Sequence, residues 1–228
     1  AENVAKKFNI SRQEQDEFAL NSQKKTEIAI NNNKFNEELI RINHNGNILY
    51  KDEHPRTGLE LSDLKKLKVA FQENGTVTPG NSSGINDGAA DLLLSTLEEV
   101  EKKSIKPLAK IVSWASVGVD PSLMGLGPID AVRAAVKKAN WNLNEIDLFE
   151  INEAFAAQSI AVIRELGIDY NNVNVNGGAI ALGHPIGASG ARILVTLIYE
   201  MQRQNKKKGC ATLCIGGGMG IALCVEKI

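Results

Sequence analysis

The segment Gly183 to Gly190 places a histidine between glycines, directly ahead of a predicted helix. Pro185 restricts the backbone of the residue before it, so His184 is expected to be extended, with its imidazole held in one direction. Free N–H groups at the start of the next helix suit an anion or a developing oxyanion. The pattern indicates acid–base chemistry, and a packed turn histidine is the alternative reading.

A cysteine, Cys214, is predicted at the end of a strand, ahead of the glycine run Gly216 to Gly218. Backbone N–H groups beside a thiol can lower its pKa from ~8.5, so we expect a reactive thiolate or a thiol acid–base. The glycine run is also typical of a simple tight turn. Cys210 and Cys224 lack this setting and are expected to be small buried hydrophobes. No two of these cysteines form a Cys-x-x-Cys pair, so metal ligation is not predicted.

Two further polar segments precede apolar runs. Asn152 and Glu153 follow a predicted strand, where a helix N-cap and the helix dipole suffice to explain them. Residues 81–88 combine Asn, Ser and Gly ahead of a predicted apolar helix. They indicate either a helix cap or the floor of a groove for a slender, amide-bearing ligand, and spacing does not separate the two. His44 and His54 lie in polar, loop-like segments and carry no catalytic signature.

Composition and missing motifs exclude several classes of protein. The 228 residues carry 26 Lys and Arg against 27 Asp and Glu, a formal net charge of -1, which favours neither nucleic acid nor an anionic membrane. No apolar run approaches the ~20 residues of a transmembrane helix. The glycine-rich dinucleotide, Walker and Gly-x-Ser-x-Gly motifs are absent. The chain has three cysteines, an odd number that does not suggest a set of disulfides, so a reduced, cytoplasmic protein is predicted.

Alternating strand and helix patterns predict that a layered α/β domain positions these residues. Strands are expected over 108–117, 147–151, 172–175, 210–215 and 219–226, with helices over 129–139, 154–166 and 189–204. The last two strands should form an antiparallel hairpin in a mixed five-stranded sheet. Ahead of this domain, a capping box at Ser11 and Glu14 predicts a helix over 11–30. A loop-rich cap with strand-like pieces at 38–42 and 48–50 follows it.

Three segments resemble the catalytic blocks of the thiolase family, in the same order along the chain. They are Asn152 to Ala156, Gly183 to Gly187 and Cys214 to Gly218, and residues 81–88 resemble the family's coenzyme A loop. The similarity covers essentially the whole chain and is strongest to thiolases that join or split acetoacetyl-CoA. It implies a layered αβαβα fold and the reaction of an acetyl-CoA C-acetyltransferase. That reaction is a reversible Claisen condensation of two acetyl-CoA molecules, with thiolysis as its reverse.

The resemblance also implies catalytic roles. His184 would activate a nucleophilic thiol and help to bind the thioester oxygen. Cys214 would act as acid and base on the second substrate, beside the backbone N–H of Gly216. Asn152 would position a water that completes an oxyanion hole.

The implied substrates are acyl-CoA and CoA, with no metal or redox cofactor. Ser83 resembles the residue that hydrogen-bonds pantetheine, and Met124 resembles a wall of the acyl pocket. Thiolases are commonly dimers or tetramers, so a homodimer or homotetramer is expected.

By the same resemblance, residues 1–85 belong to the loop domain, 86–106 complete the N-terminal thiolase domain and 107–228 form the C-terminal domain. The family's acyl-accepting cysteine lies in a Cys-Gly-Ser-Gly segment, which this sequence does not contain. We therefore expect that the N-terminal thiolase half is missing and that the chain is inactive alone. A degradative 3-ketoacyl-CoA thiolase for longer chains and a non-catalytic CoA-binding half or scaffold are the alternatives.

Overall fold

The chain begins with two helices. The computed structural model describes residues 1–228. Helix α1 spans Glu2–Lys7 and α2 spans Arg12–Asn31, which confirms the helix predicted from the capping box. The Ser11 hydroxyl accepts a hydrogen bond from the Glu14 N–H at 3.2 Å, and the Glu14 carboxylate accepts one from the Ser11 N–H at 2.7 Å. These bonds satisfy N–H groups that a helix start otherwise leaves free.

The segment after α2 is loop-rich, as predicted. Strands β1 (Ile42–His44) and β2 (Asn47–Leu49) form an exposed antiparallel hairpin, and a short helix α3 spans Leu61–Lys65. Asn45 and Gly46 both have positive φ in the hairpin turn. This turn pairs Ile42 with Leu49 and leaves residues 38–41 without a partner strand, so the strand predicted over 38–42 is wrong.

The helix predicted after residue 88 is also wrong. Residues 86–96 have no regular structure, and α4 spans only Leu97–Lys102. Ile85 is 93% exposed and Leu93 is 91% exposed, because neither side chain has an apolar surface to pack against. An apolar run forms a stable helix in water mainly by burying one face, and that condition is not met here.

Four strands form a mixed sheet in the order β3-β6-β5-β4. They are β3 (Ala109–Gly118), β4 (Leu148–Ile151), β5 (Lys208–Ile215) and β6 (Met219–Lys227). β4 and β5 are parallel, whereas β6 is antiparallel to both of its neighbours. The α/β class and the terminal hairpin are therefore confirmed.

The sheet has four strands where five are predicted. Residues 172–175 contribute only a single bridge, between Val173 and Phe149. Asn174 has a φ of 44°, which ends an extended run at that point. Its side chain instead bonds β4: the amide donates to the Ile151 carbonyl and accepts from the Ile151 N–H, both at 2.8 Å. An asparagine side chain thus takes the place of a neighbouring strand.

Helices cover both faces of the sheet. They are α5 (Gly127–Ala139), α6 (Ala156–Leu166), the short α7 (Ala179–Leu182) and α8 (Ser189–Arg203). No helix in the structure is both long enough and apolar enough to cross a membrane.

Neighbouring residues of β5 face opposite layers, as the alternation of a strand requires. Cys210 belongs to the cluster that contains Val132 of α5 and Ile163 of α6. Ala211 belongs to the cluster that contains Leu197 of α8. The buried apolar core therefore lies on both sides of the sheet.

Helix α5 begins against the backbone of β6. A Cβ atom on Gly127 or Gly220 would overlap the backbone of the other residue, so only glycine allows this approach. Gly220 pairs with Cys214 across the β5–β6 hairpin. The start of α5 thus supports the end of the hairpin that carries Cys214.

The exposed apolar segment predicts self-association. We expect the chain to form dimers or larger species through residues 85–97, because contiguous apolar surface of this kind is a typical contact site. Replacing Leu93 and Leu97 with Gln should shift the chain toward the monomer in light scattering coupled to size exclusion. Ile28→Gln, which changes an exposed residue on α2, is the matched control. A wild-type chain that stays monomeric at high concentration would contradict this prediction.

Candidate active site

His184 lies in an extended segment between α7 and α8, which confirms the backbone expected from Pro185. Its N–H donates to the Gly84 carbonyl at 3.1 Å and to Asn86 Oδ1 at 3.3 Å. Gly183 has a φ of 89°, and a Cβ there would lie 2.5 Å from Asn86 Oδ1. Glycine at this position therefore lets residues 81–88 and the His184 segment approach each other.

Hydrogen bonds define the protonation of the His184 ring. Nδ1 lies 2.5 Å from Ser189 Oγ, and the Ser189 hydroxyl donates to the Pro185 carbonyl at 3.0 Å. Asn152 Nδ2 lies 3.4 Å from Nε2 and can only donate, so Nε2 is the acceptor and Nδ1 carries the proton that it donates to Ser189 Oγ. Nε2 is then left with a lone pair, as a general base requires. The sequence analysis did not identify Ser189 as a partner of His184, although a hydroxyl residue five positions later, at the start of the predicted helix, could have suggested it.

Asn152 faces the free nitrogen of His184. Its Nδ2 lies 3.4 Å from His184 Nε2, and the residue is fully buried at the end of β4. The prediction that Asn152 caps a helix is wrong, because α6 begins only at Ala156, after Phe155. Asn152 Oδ1 is buried without a hydrogen-bond partner. Since buried polar atoms are nearly always bonded, this oxygen is suited to accept from a water or a substrate group.

Glu153 explains why Asn152 keeps this position. Its carboxylate accepts from the Ser22 hydroxyl of α2 at 2.7 Å, from Asn174 Nδ2 at 2.8 Å and from the Ile180 N–H of α7 at 3.2 Å. A Cβ on Gly178 would overlap this carboxylate. Glu153 is therefore a buried connector between three elements, and a role through the helix dipole is not its function in this fold.

Cys214 is a protonated thiol. The residue is 8% exposed near the end of β5, and burial raises the pKa of its thiol to about 11. The predicted lowering of this pKa is wrong, because desolvation outweighs the effect of the nearby backbone. Gly217 and Gly218 have φ of 88° and 92°, which confirms a tight turn. Space is open beside the Gly216 backbone.

The other cysteines are structural. Cys210 and Cys224 are fully buried opposite each other in the β5–β6 pair, which confirms that they are small core residues. A hydrogen bond from Cys210 to Cys224 holds the proton on Cys210 and raises its pKa.

The structure brings three of the four predicted segments into direct contact. Asn152 meets His184, and Ser82 forms a bridge with Phe155. Ser83 donates to the Ala154 carbonyl from both N and Oγ at 3.1 Å. Cys214 joins the same edge of the sheet, because β5 runs parallel to β4 and its Thr212 carbonyl accepts from the Asn152 N–H at 3.0 Å.

Met124 lies in a short helix that follows β3. It is half-buried in a 3₁₀ helix, Pro121–Leu126. The Val119 N–H, just before this helix, donates to the Gly218 carbonyl at 2.8 Å. The start of the helix that carries Met124 therefore borders the turn that follows Cys214.

Burial and a nearby arginine both favour the neutral form of His184. Burial lowers the pKa of His184, and the positive charge of Arg192 lowers it further. Arg192 Nη1 lies 3.8 Å from Glu150 Oε2, and none of its side-chain nitrogens has a hydrogen-bond partner. Glu150 is 2% exposed, and burial raises the pKa of its carboxyl to about 8 despite this arginine. The positive charge of Arg192 is thus poorly neutralised and acts on the imidazole.

Removing this charge should raise the pKa of His184. With Arg192→Gln we expect His184 to titrate at higher pH, whereas Arg192→Lys should keep most of the depression. The chain has three histidines, so an NMR titration with labelled histidine can follow each ring. Arg133→Gln on the exposed face of α5 is the control. An unchanged His184 titration in Arg192→Gln would show that burial alone sets this pKa.

Comparison with known proteins supplies the family. Family models described as "Thiolase, N-terminal domain" and "Thiolase, C-terminal domain" match residues 1–98 and 105–227. Since the N-terminal model matches here, the expectation that the N-terminal half is missing is not supported. An acetyl-CoA acetyltransferase of Rhizobium meliloti is 55% identical over 232 residues, and a cytosolic one of Mus musculus is 52% identical over 233. Each match covers 100% of this chain and 59% of the relative.

Solved structures agree with the sequence matches. The acetyl-CoA acetyltransferase of Bacillus anthracis is 46% identical with a TM-score of 0.97, covering 100% of this chain and 59% of that one. A human mitochondrial 3-ketoacyl-CoA thiolase in complex with CoA is 42% identical with a TM-score of 0.94, covering 100% of this chain and 57% of that one. The predicted thiolase-like fold is confirmed, and the chain belongs to the thiolase family.

Proposed function

We propose that this chain supplies the acid–base machinery of an acetyl-CoA C-acetyltransferase, which condenses two acetyl-CoA molecules into acetoacetyl-CoA and CoA. The contact between Asn152 and His184 carries this proposal. It places the amide of Asn152, whose oxygen is buried without a partner, beside the acceptor nitrogen Nε2 of His184. A water on that oxygen would complete an oxyanion hole for the thioester.

In this proposal His184 serves the acylation step. Its neutral Nε2 takes the proton of a nucleophilic thiol, which then attacks the thioester carbonyl carbon and releases CoA as the leaving thiol. The low pKa of His184 favours this step, since the ring stays an acceptor at neutral pH.

Cys214 serves the carbon–carbon step. In thiolysis its protonated thiol gives a proton to the α-carbon of the departing acetyl-CoA. In condensation the thiolate takes a proton from the methyl carbon of the second acetyl-CoA. The resulting carbanion attacks the carbonyl carbon of the acyl-enzyme, whose C–S bond breaks to release the nucleophilic thiolate and acetoacetyl-CoA. The raised pKa of Cys214 suits the first of these roles, and the N–H of Gly216 is proposed to bind the developing oxyanion.

The acyl-accepting thiol is proposed to lie outside these 228 residues. Cys210 and Cys224 are sealed within the sheet, and Cys214 is assigned to proton transfer. The chain spans 59% of the length of the curated relatives that it matches. We propose that this chain is inactive alone and gains activity with a thiolase segment that carries a Cys-Gly-Ser-Gly sequence.

Substrate binding is assigned to two residues outside the acid–base pair. Ser83 is half-buried and donates its hydroxyl proton to Ala154, so its oxygen can accept from a pantetheine amide. Met124 is proposed as a wall of the acyl pocket because its 3₁₀ helix borders the Cys214 turn. Narrow walls with few polar anchors suit the slender pantetheine arm.

The domain limits, location and assembly belong to the same proposal. We assign residues 1–85 to the loop domain, 86–106 to the end of the N-terminal domain and 107–228 to the C-terminal domain. A homodimer or homotetramer in the cytoplasm is proposed, consistent with the cytosolic mouse relative.

The two candidate thiolase activities differ in the acyl chain length of the preferred substrate. We expect the reconstituted enzyme to cleave acetoacetyl-CoA faster than a longer 3-ketoacyl-CoA, measured as kcat/KM for CoA-dependent loss of the substrate. The alternative is a degradative 3-ketoacyl-CoA thiolase, which the human structural relative favours. Faster cleavage of the longer substrate would select that alternative. CoA binding without turnover of either substrate would select the non-catalytic scaffold.

Separate roles for the thiols predict separable half-reactions. In the reconstituted enzyme, Cys214→Ser should still form the acyl-enzyme but should condense it with acetyl-CoA at least ~100-fold more slowly, because proton transfer at carbon is lost. Quenched-flow labelling with radioactive acetyl-CoA measures the acyl-enzyme, and release of acetoacetyl-CoA measures condensation. Cys224→Ser is the matched control in the core. Equal loss of both half-reactions would reject the division of labour.

A further inference from the structure

His54 lies against the His184 segment although the sequence gives it no catalytic signature. Asn86 stands between the two histidines. Its Oδ1 accepts from the His184 N–H at 3.3 Å, and its Nδ2 lies 3.2 Å from His54 Nδ1. One side chain therefore connects a loop after β2 with the proposed base.

The direction of these bonds fixes the proton on His54. Because the amide oxygen of Asn86 accepts from a backbone N–H, its NH₂ group must face His54. His54 Nδ1 can then only accept, so the ring proton lies on Nε2. This tautomer is the opposite of that of His184, in which Nδ1 carries the proton.

Two glycines leave the space that this arrangement needs. A Cβ on Gly84 would lie 2.5 Å from His54 Cε1 and 2.7 Å from Asn86 Oδ1, and a Cβ on Gly183 would lie 2.5 Å from the same oxygen. The amide of Asn86 is thus enclosed by backbone and by the His54 ring. A side chain enclosed in this way has few alternative rotamers, so it can hold a neighbouring segment in place.

The loop that carries His54 is itself anchored. The His54 N–H donates to Asp52 Oδ1 at 3.1 Å, and the Arg56 N–H donates to Gln23 Oε1 at 3.0 Å. Gln23 is buried on α2, and its Nε2 donates to the Ile180 carbonyl of α7 at 3.4 Å. The loop that carries His54 is therefore anchored to α2, the helix whose Ser22 donates to Glu153.

We propose that His54 is a positioning residue for His184, which acts through the side chain of Asn86. This proposal rests on the proposed role of His184 as the base. By accepting from Asn86 Nδ2, His54 fixes the amide so that its oxygen holds the His184 N–H. Without that acceptor the amide is free to rotate, and the His184 segment keeps only its bond to Gly84. A displaced base costs rate more than substrate affinity, because positioning acts on the reacting geometry.

The first test is spectroscopic and needs no activity. In the ¹⁵N spectrum of histidine-labelled protein, at a pH where the rings are neutral, His54 should carry its proton on Nε2 and His184 on Nδ1. Asn86→Ala should release His54 from this single tautomer. His44, on the exposed hairpin, is the internal control. A proton on Nδ1 of His54 in the wild type would overturn the proposal.

The second test is a double-mutant cycle on thiolysis of acetoacetyl-CoA by the reconstituted enzyme. His54→Leu should lower kcat about 10- to 100-fold with a smaller change in KM, since misplacement of a catalytic group can cost that much. His54→Asn, which can present an acceptor oxygen at the δ position, should restore most of the rate. His54→Leu with Asn86→Ala should be no slower than Asn86→Ala alone.

The outcomes separate this proposal from the proposed function. Additive losses in the double variant, or wild-type kcat in His54→Leu, would overturn the positioning role. His44→Leu should leave the rate unchanged. If the wild type forms no acyl-enzyme at all, the proposed function fails, and the tautomers of the two histidines still decide whether Asn86 connects them as described. A far-UV spectrum of each variant shows whether a loss of rate reflects unfolding.

Discussion

The buried carboxylate of Glu153 is the contact on which the candidate site depends. A carboxylate away from water is costly unless several donors satisfy it, and here Ser22, Asn174 and the Ile180 N–H do so. These donors come from α2, from the segment after α6 and from α7. A single side chain therefore connects three elements directly beside Asn152.

Helix α2 also depends on buried polar contacts. Its buried residues include Gln15, Asp16, Ser22, Gln23 and Thr26, so hydrogen bonds hold the helix in addition to the apolar contacts of Phe18 and Ala19. Asp16, for example, accepts from Asn81 Nδ2 at 2.9 Å at the start of the 81–88 segment. Polar contacts require defined directions, which apolar contacts do not. The loops of the site gain fixed positions because a polar helix lies beneath them.

The sequence predicted the parts of the fold that depend on local pattern. Helices α5 and α8 and the β5–β6 hairpin follow from periodicity and from glycine placement, and their positions are confirmed. The extended backbone of His184 follows from Pro185 in the same way. The settings of His184 and Cys214 indicated chemistry from the sequence itself, whereas Ser83, Met124 and all the catalytic roles came from the family resemblance and stay proposals.

The remaining features depend on contacts between distant residues. Asn174 replaces a strand with its side chain, burial reverses the expected pKa shift of Cys214, and His54 reaches His184 through Asn86. None of these has a periodic or spacing signal, because each depends on what surrounds the residue in space. At the start of β6, Gly127 and Gly220 leave no room for even one methyl group. Any larger residue at either position would therefore push the start of α5 away from the strand pair that carries Cys214.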